Sequence, residues 1–199
     1  MCKLWVRIAI RLSVLTLFLA SGCVFPEDCD FVTGGGFIFF NGSRANFGVG
    51  GGCKDGSPTF GHLEYVDHGM GLNVHWTSIT GYFDRGGDGV DDHGQPTGTR
   101  RVCGTARTNL FGDVDFAVTV TDAGEPGVND TFDIRLRQAG GGPFVYDTAT
   151  QCSPHFLGSP VPCAPGTNGG GSNIQLHKPN PSTITGFFGG SCPAGGGGA

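Results

Sequence analysis

The sequence predicts an all-β protein, an antiparallel β-sandwich or barrel-like fold of about eight to ten short strands supported by disulfides. Three observations carry this expectation. Glycine accounts for 38 of the 199 residues, and each glycine inside a helix costs ~1 kcal/mol against alanine, so long helices are excluded. Short windows alternate apolar and polar residues between clusters of Gly, Asp and Asn, which is the signature of half-buried strands and turns. The chain also carries eight cysteines, more than one free thiol would explain.

The strands are expected in the following order. Residues 31–40 are apolar and glycine-rich, and 45–49 centre on Phe47. Segments 59–66 and 72–83 flank His68-Gly69-Met70-Gly71, a hairpin turn. In the second arm Leu72, Val74, Trp76, Ser78 and Tyr82 are expected on one face, because strand side chains alternate. Segments 102–110 and 114–121 flank Phe111-Gly112-Asp113, and the second is the clearest half-buried strand, with Val114, Phe116, Val118 and Val120 against Asp115, Ala117, Thr119 and Thr121. In 131–136, Phe132, Ile134 and Leu136 alternate with Asp133 and Arg135. Segments 144–146, 173–177 and 183–188 complete the set. Two longer connections, 84–100 and 147–171, read as loops, and Cys152 and Cys163 are a plausible pair across the second.

The first residues have a different character. Lys3, Arg7 and Arg11 precede an apolar stretch at 12–20, then Ala20, Ser21, Gly22 and Cys23. The stretch falls far short of the ~20 apolar residues of a spanning helix and has the layout of a secretory signal. Leu19-Ala20-Ser21-Gly22-Cys23 resembles the bacterial lipobox, which implies acylation of Cys23. The expected organisation is therefore 1–22 signal peptide, 23–30 lipid anchor and short linker, 31–190 a single β domain, and 191–199 a Gly-rich tail. Cysteine parity agrees. Cys2 leaves with the signal, a thioether removes Cys23, and Cys29, Cys53, Cys103, Cys152, Cys163 and Cys192 remain for three disulfides among 15 pairings.

After Cys23 the chain holds 9 basic and 17 acidic residues, a formal charge of 9 − 17 = −8. Such a chain is a poor partner for nucleic acid, whose phosphates require Lys and Arg. It also lacks a polybasic patch for anionic lipid. The expected location is the cell envelope, anchored by lipid, with the membrane as one partner and an extracellular glycan or protein as another.

Several segments, in order, resemble the post-COAP-1 domain of secreted bacterial proteins. These are Val32-Thr33-Gly34-Gly35-Gly36-Phe37-Ile38, Phe47-Gly48-Val49, Gly61-His62-Leu63-Glu64-Tyr65 with Val74-His75, and Val118 through Gly127 leading to Asp130-Thr131-Phe132-Asp133-Ile134. Val145-Tyr146-Asp147 and Gly170 through Lys178 close the series. The resemblance spans about residues 31 to 178 and implies an all-β, export-associated module without known catalytic residues.

Two acidic turns are candidate cation sites, with Ca²⁺ as the ion, because convergent carboxylates on glycine-rich turns make hard oxygen ligands. One holds Asp84, Asp88, Asp91 and Asp92; the other holds Asp122, Glu125 and Asp130. The first matches single RTX and EF-hand patterns poorly, since Gly86 and Gln95 replace EF-hand ligands. For both turns a solvated or connecting role is the simpler reading. His62, His68 and His75 share one hairpin, but His68 lies in its turn, which argues against zinc. Gly34-Gly35-Gly36 has no helix after it to present to phosphate, so close backbone packing is the expected reason for it. Neither G-x-S-x-G nor H-E-x-x-H occurs. The expectation is a non-enzymatic envelope lipoprotein with a structural or interaction role. The alternatives are a calcium-dependent module binding polysaccharide or protein and, behind it, a hydrolase without a recognised motif.

Overall fold

In the computed structural model, which describes residues 29–165, 172–183 and 186–195, the chain forms one antiparallel sheet of eleven strands. These are β1 (Phe31–Phe40), β2 (Ser43–Lys54), β3 (Ser57–Asp67), β4 (Leu72–Asp84), β5 (Gly89–Val90), β6 (Pro96–Thr108), β7 (Gly112–Asp122), β8 (Thr131–Gln138), β9 (Phe144–Asp147), β10 (Asn173–His177) and β11 (Gly189–Gly190). The order across the sheet is β10-β1-β2-β3-β4-β6-β7-β8-β9, with β11 added to β4 and β5 to β6. The expected signal peptide and Cys23 lie outside the described residues.

Most neighbours in sequence are neighbours in space because their turns are short. β1 and β2 meet through Asn41-Gly42, and β2 and β3 through Asp55-Gly56. All four turn residues have positive φ (49°, 80°, 51° and 83°), as type I′ hairpin turns require. The longer strands are offset inward on one face. Val32, Ile38, Phe40, Ala45, Phe47, Val49, Leu63, Tyr65, Leu72 and Val74 are buried, and so are Val114, Phe116, Val118, Val120, Phe132, Ile134 and Leu136. The sheet bends so that these two sets meet. Phe47 stacks on Phe132 with centroids 4.0 Å apart, and Tyr65 stacks on the same ring at 5.9 Å. The predicted all-β, disulfide-supported fold is therefore present as a single sheet packed on itself, open between β10 and β9.

Several boundaries differ from the sequence expectation. In β4 the register shifts twice, between Trp76 and Ser78 and between Ile79 and Gly81. Each bulge inserts an extra residue, so Ile79 is buried while Ser78 is exposed. Ser78 therefore does not share the face of Leu72, Val74 and Tyr82. The 84–100 connection is largely a hairpin, because β6 begins at Pro96 and Gly89–Val90 pairs with it. No strand starts at Thr183, which lies in a turn; pairing to β4 comes later, through Gly189 and Gly190. β7 is buried on both faces at Asp115 and Ala117, because the chain after β11 runs over its outer side.

That terminal segment belongs to the domain. Cys192 is bonded to Cys103, and Ala194 is fully buried against Cys103 and Ala117. The other disulfides join Cys29 to Cys53 and Cys152 to Cys163. The glycine run in β1 packs closely, as expected: a Cβ on Gly34 would lie 2.9 Å from the Asn173 carbonyl oxygen.

Candidate functional site

Arg100 is the hub of one end of the sheet. It sits on β6, opposite Asp84 of β4 in register, and is 5% exposed. Its Nε and Nη2 donate to both carboxylate oxygens of Asp30, the Nη2 bond being 2.6 Å. Nη1 donates to Asp84 at 2.9 Å, to Asp88 at 2.8 Å and to the Thr99 carbonyl. The Tyr82 hydroxyl completes the cluster by donating to Asp30 at 2.7 Å. Burial alone would lower the guanidinium's pKa, but the Asp30 and Asp88 hydrogen bonds and the Asp30 charge hold it above its ordinary value. Burial and the Asp30 charge push the Tyr82 hydroxyl well up. Two of the proposed calcium ligands, Asp84 and Asp88, are thus arranged around a cation the protein supplies itself.

The remaining acidic candidates separate into two tasks. Asp91 caps its own turn, accepting from the His93 and Gln95 N–H groups at 2.9 and 2.8 Å. Those bonds, Gln95 first, lower its pKa. Asp92 is exposed. Asp122, Glu125 and Asp130 instead meet the free edge of β10. Asp130 accepts from Ile174 N–H at 2.8 Å, Asp122 accepts from Leu176 N–H at 2.7 Å, and Glu125 accepts from the Asn173 side-chain amide. An edge strand presents unpaired N–H groups, and here carboxylates satisfy the two from Ile174 and Leu176 where no strand follows. Burial raises the Asp122 carboxyl, and it raises that of Asp130 to about 6. Among the described residues no group of three or more His, Cys, Asp or Glu side chains is arranged to hold a metal ion.

The three hairpin histidines are apart, each with its own neighbour. His75 pairs with Glu64, His68 bonds the Asn46 side chain at 2.9 Å, and His62 lies over Gly50. A second buried polar chain crosses the core, where Tyr65 and Tyr146 share a 2.6 Å hydrogen bond and Tyr146 donates to Asp67. His155 is fully buried, with Nδ1 2.7 Å from Asp133 Oδ1. Ser153 donates to the other oxygen of Asp133 at 2.7 Å. The serine therefore points at the carboxylate and not at the imidazole, so the three do not form a nucleophile–base relay.

A concavity lies beside this group, on the outer face of β6, β7 and β8. Register aligns Arg101 with Thr119 and Asp133, and Cys103 with Ala117, Arg135 and Asp147. The terminal segment crosses above, leaving a cavity of about 160 Å³ lined by Arg101, Thr119, Arg135, Asp147, Ser153 and Gly195, with Ala117, Ala149 and Ala194 among its apolar walls. Arg135 Nε donates to Asp147 at 2.7 Å. Arg101 donates to the Thr119 hydroxyl and the Gly195 carbonyl. Sequence reasoning missed this site. The outward alternation of Arg135 in β8 was a usable signal, but the cross-strand register that brings Arg101 to it was not available.

A scan against protein-family models, a search of curated proteins and a search of solved structures each found no match.

Proposed function

We propose that this protein is a non-enzymatic cell-envelope lipoprotein, held to a membrane through Cys23, whose disulfide-braced sheet serves as an interaction module. The observation that carries the reading is cysteine pairing. All six cysteines from Cys29 onward are consumed in three disulfides. Once residues 1–22 are removed, Cys23 has no cysteine left to pair with, so an acyl thioether resolves the parity. Disulfides of this density suit an oxidising, exported environment. The resemblance of segments within residues 31–178 to the post-COAP-1 domain, an export-associated module, supports the same reading.

The test is intact-mass analysis of the exported protein with fractionation of the Cys23→Ser variant. The expected result is a lipid-modified Cys23 as the mature N-terminus, and release of the variant from the membrane fraction. A mature chain that keeps an unmodified Cys23 thiol refutes it.

One observation favours calcium-dependent binding as a second reading. Asp91 Oδ2 and Asn173 Oδ1 are buried oxygens without a hydrogen-bond partner, and both lie beside the 122–130 connection. Thermal unfolding in EDTA and then in excess Ca²⁺ separates the readings. A native-state ligand at a hundredfold excess over Kd stabilises by about 2.7 kcal/mol, and an unchanged midpoint removes calcium.

A further inference from the structure

We propose that the outer-face cavity binds a small sugar acid, one ring in size, whose carboxylate is received by Arg101. This rests on the interaction-module reading and gives it a ligand class.

The donors come first. Arg101 is half-buried on the cavity wall, and among the described residues no carboxylate lies within ion-pair distance of it. Its hydrogen bonds go to a neutral hydroxyl and a neutral carbonyl. Burial, with the nearby charges of Arg85 and Arg135, pulls its pKa down. Among the described residues Arg101 is therefore the guanidinium of the lining that has no carboxylate partner, since Arg135 is paired with Asp147. A planar guanidinium receives a carboxylate through two parallel N–H bonds, and Arg101 has Nη2 free of any protein acceptor among the described residues.

The rest of the lining selects against a bare inorganic anion. Asp133 and Asp147 stand on the opposite side. Asp147 accepts from Arg135, and Asp133 accepts from His155, Ser153 and Thr148. Asp133 Oδ2 and the two Asp147 oxygens each accept one hydrogen bond from the protein and keep a lone-pair site for a ligand hydroxyl, while the two carboxylates repel a compact dianion. Ala149 supplies a partly exposed methyl group for the C–H face of a ring. One negative group, several hydroxyls and an apolar face on a small ring describe a uronic acid. At about 160 Å³ the cavity is smaller than the ~300–1,000 Å³ of drug-sized pockets, which limits it to a single residue or chain end. The roof is fixed, because Cys103–Cys192 and the buried Ala194 hold the terminal segment in place.

The test is calorimetric titration of the purified, oxidised protein with glucuronate and galacturonate, with glucose, galactose and inorganic phosphate as comparisons. One uronate should bind saturably, at least tenfold tighter than its neutral sugar, with no change in EDTA. Arg101→Met should weaken it at least tenfold. Ala149→Leu, which fills the cavity from the rim away from the terminal segment, should do the same with the unfolding midpoint unchanged. No saturable uronate binding overturns the proposal, as does equal binding of the neutral sugar, equal binding of phosphate, or full affinity in both variants. An unacylated Cys23 would sink the anchoring reading and leave this result standing.

Discussion

Replacing Arg100 with methionine tests the physical account most directly, because it removes the charge while keeping much of the side-chain volume. Three carboxylates, Asp30, Asp84 and Asp88, would then face one another around an apolar group, and the Tyr82 hydroxyl would still donate to Asp30. Breaking a buried ion pair by removing one partner costs ~3–5 kcal/mol, since the other charge is left desolvated. The three carboxylates do not contribute equally. The Asp30 side chain is 10% exposed, that of Asp84 23% and that of Asp88 45%, so solvent screens the Asp88 contact strongly. The main loss is the two-oxygen pairing with Asp30, which places the expected cost at about 3–4 kcal/mol. At ~2–4 °C per kcal/mol for a domain of this size, the unfolding midpoint should fall by roughly 6–16 °C. Urea unfolding at pH 7 with all disulfides oxidised measures the free-energy loss, and a thermal melt under the same conditions measures the midpoint. Adding Asp30→Asn to the variant should recover part of the loss, because the stranded charge is removed. A loss below about 1 kcal/mol, or a double variant no more stable than the single, would refute the claim that Arg100 neutralises this end of the sheet.

The β10 edge should make stability depend on pH in a particular sense. The Asp130 carboxyl is raised to about 6 in the folded protein, against about 3.9 unfolded. The folded state therefore binds the extra proton between those values, and stability from this group increases as pH falls from 6 to 4. The rise, on the order of 2–3 kcal/mol at 1.36 kcal/mol per pKa unit, should be largely absent in Asp130→Asn urea titrations. Asp122→Ala should cost about 1–3 kcal/mol, because it strands the Leu176 N–H, and it should raise self-association in sedimentation measurements by exposing a strand edge. Removing disulfides one at a time should destabilise in the order of sequence separation, 89, 24 and 11 residues. In the chain-entropy model the Cys103–Cys192 loss is about 4–5 kcal/mol and the Cys152–Cys163 loss about 3 kcal/mol. Tyr146→Phe should cost about 1–3 kcal/mol in the same assay, since Tyr65 and Asp67 both lose their partner on it.

Strand existence was legible in the sequence because it is a local property. Alternation in 114–121 and 131–136, and the glycine run of 31–40, appear in the structure as β7, β8 and β1. Asn41-Gly42 and Asp55-Gly56 carried a hairpin signal that would have extended β2 to its full length, Ser43–Lys54. Two kinds of feature were not legible. The bulges in β4 change which face Ser78 and Ile79 occupy, and nothing in the alternation itself marks an inserted residue. The acidic turns had the composition of cation sites, but composition does not say which cation. For Asp84 and Asp88 it is Arg100, and for Asp122 and Asp130 the partners are backbone N–H groups of a strand more than 40 residues away.

By itself, then, the sequence determined the all-β class, the approximate strands, the cysteines that pair and the excess of acid. Each follows from side-chain period, glycine content or parity, which need no knowledge of what lies across the sheet. Only the tertiary structure decided which carboxylates are spent on Arg100, which close the β10 edge, and that Arg101, Arg135 and the segment carrying Cys192 enclose one cavity. Those outcomes depend on strand register and on the bend that folds one sheet onto itself. Register is set by pairing between strands distant in the chain, where a shift of one residue would turn every side chain to the other face.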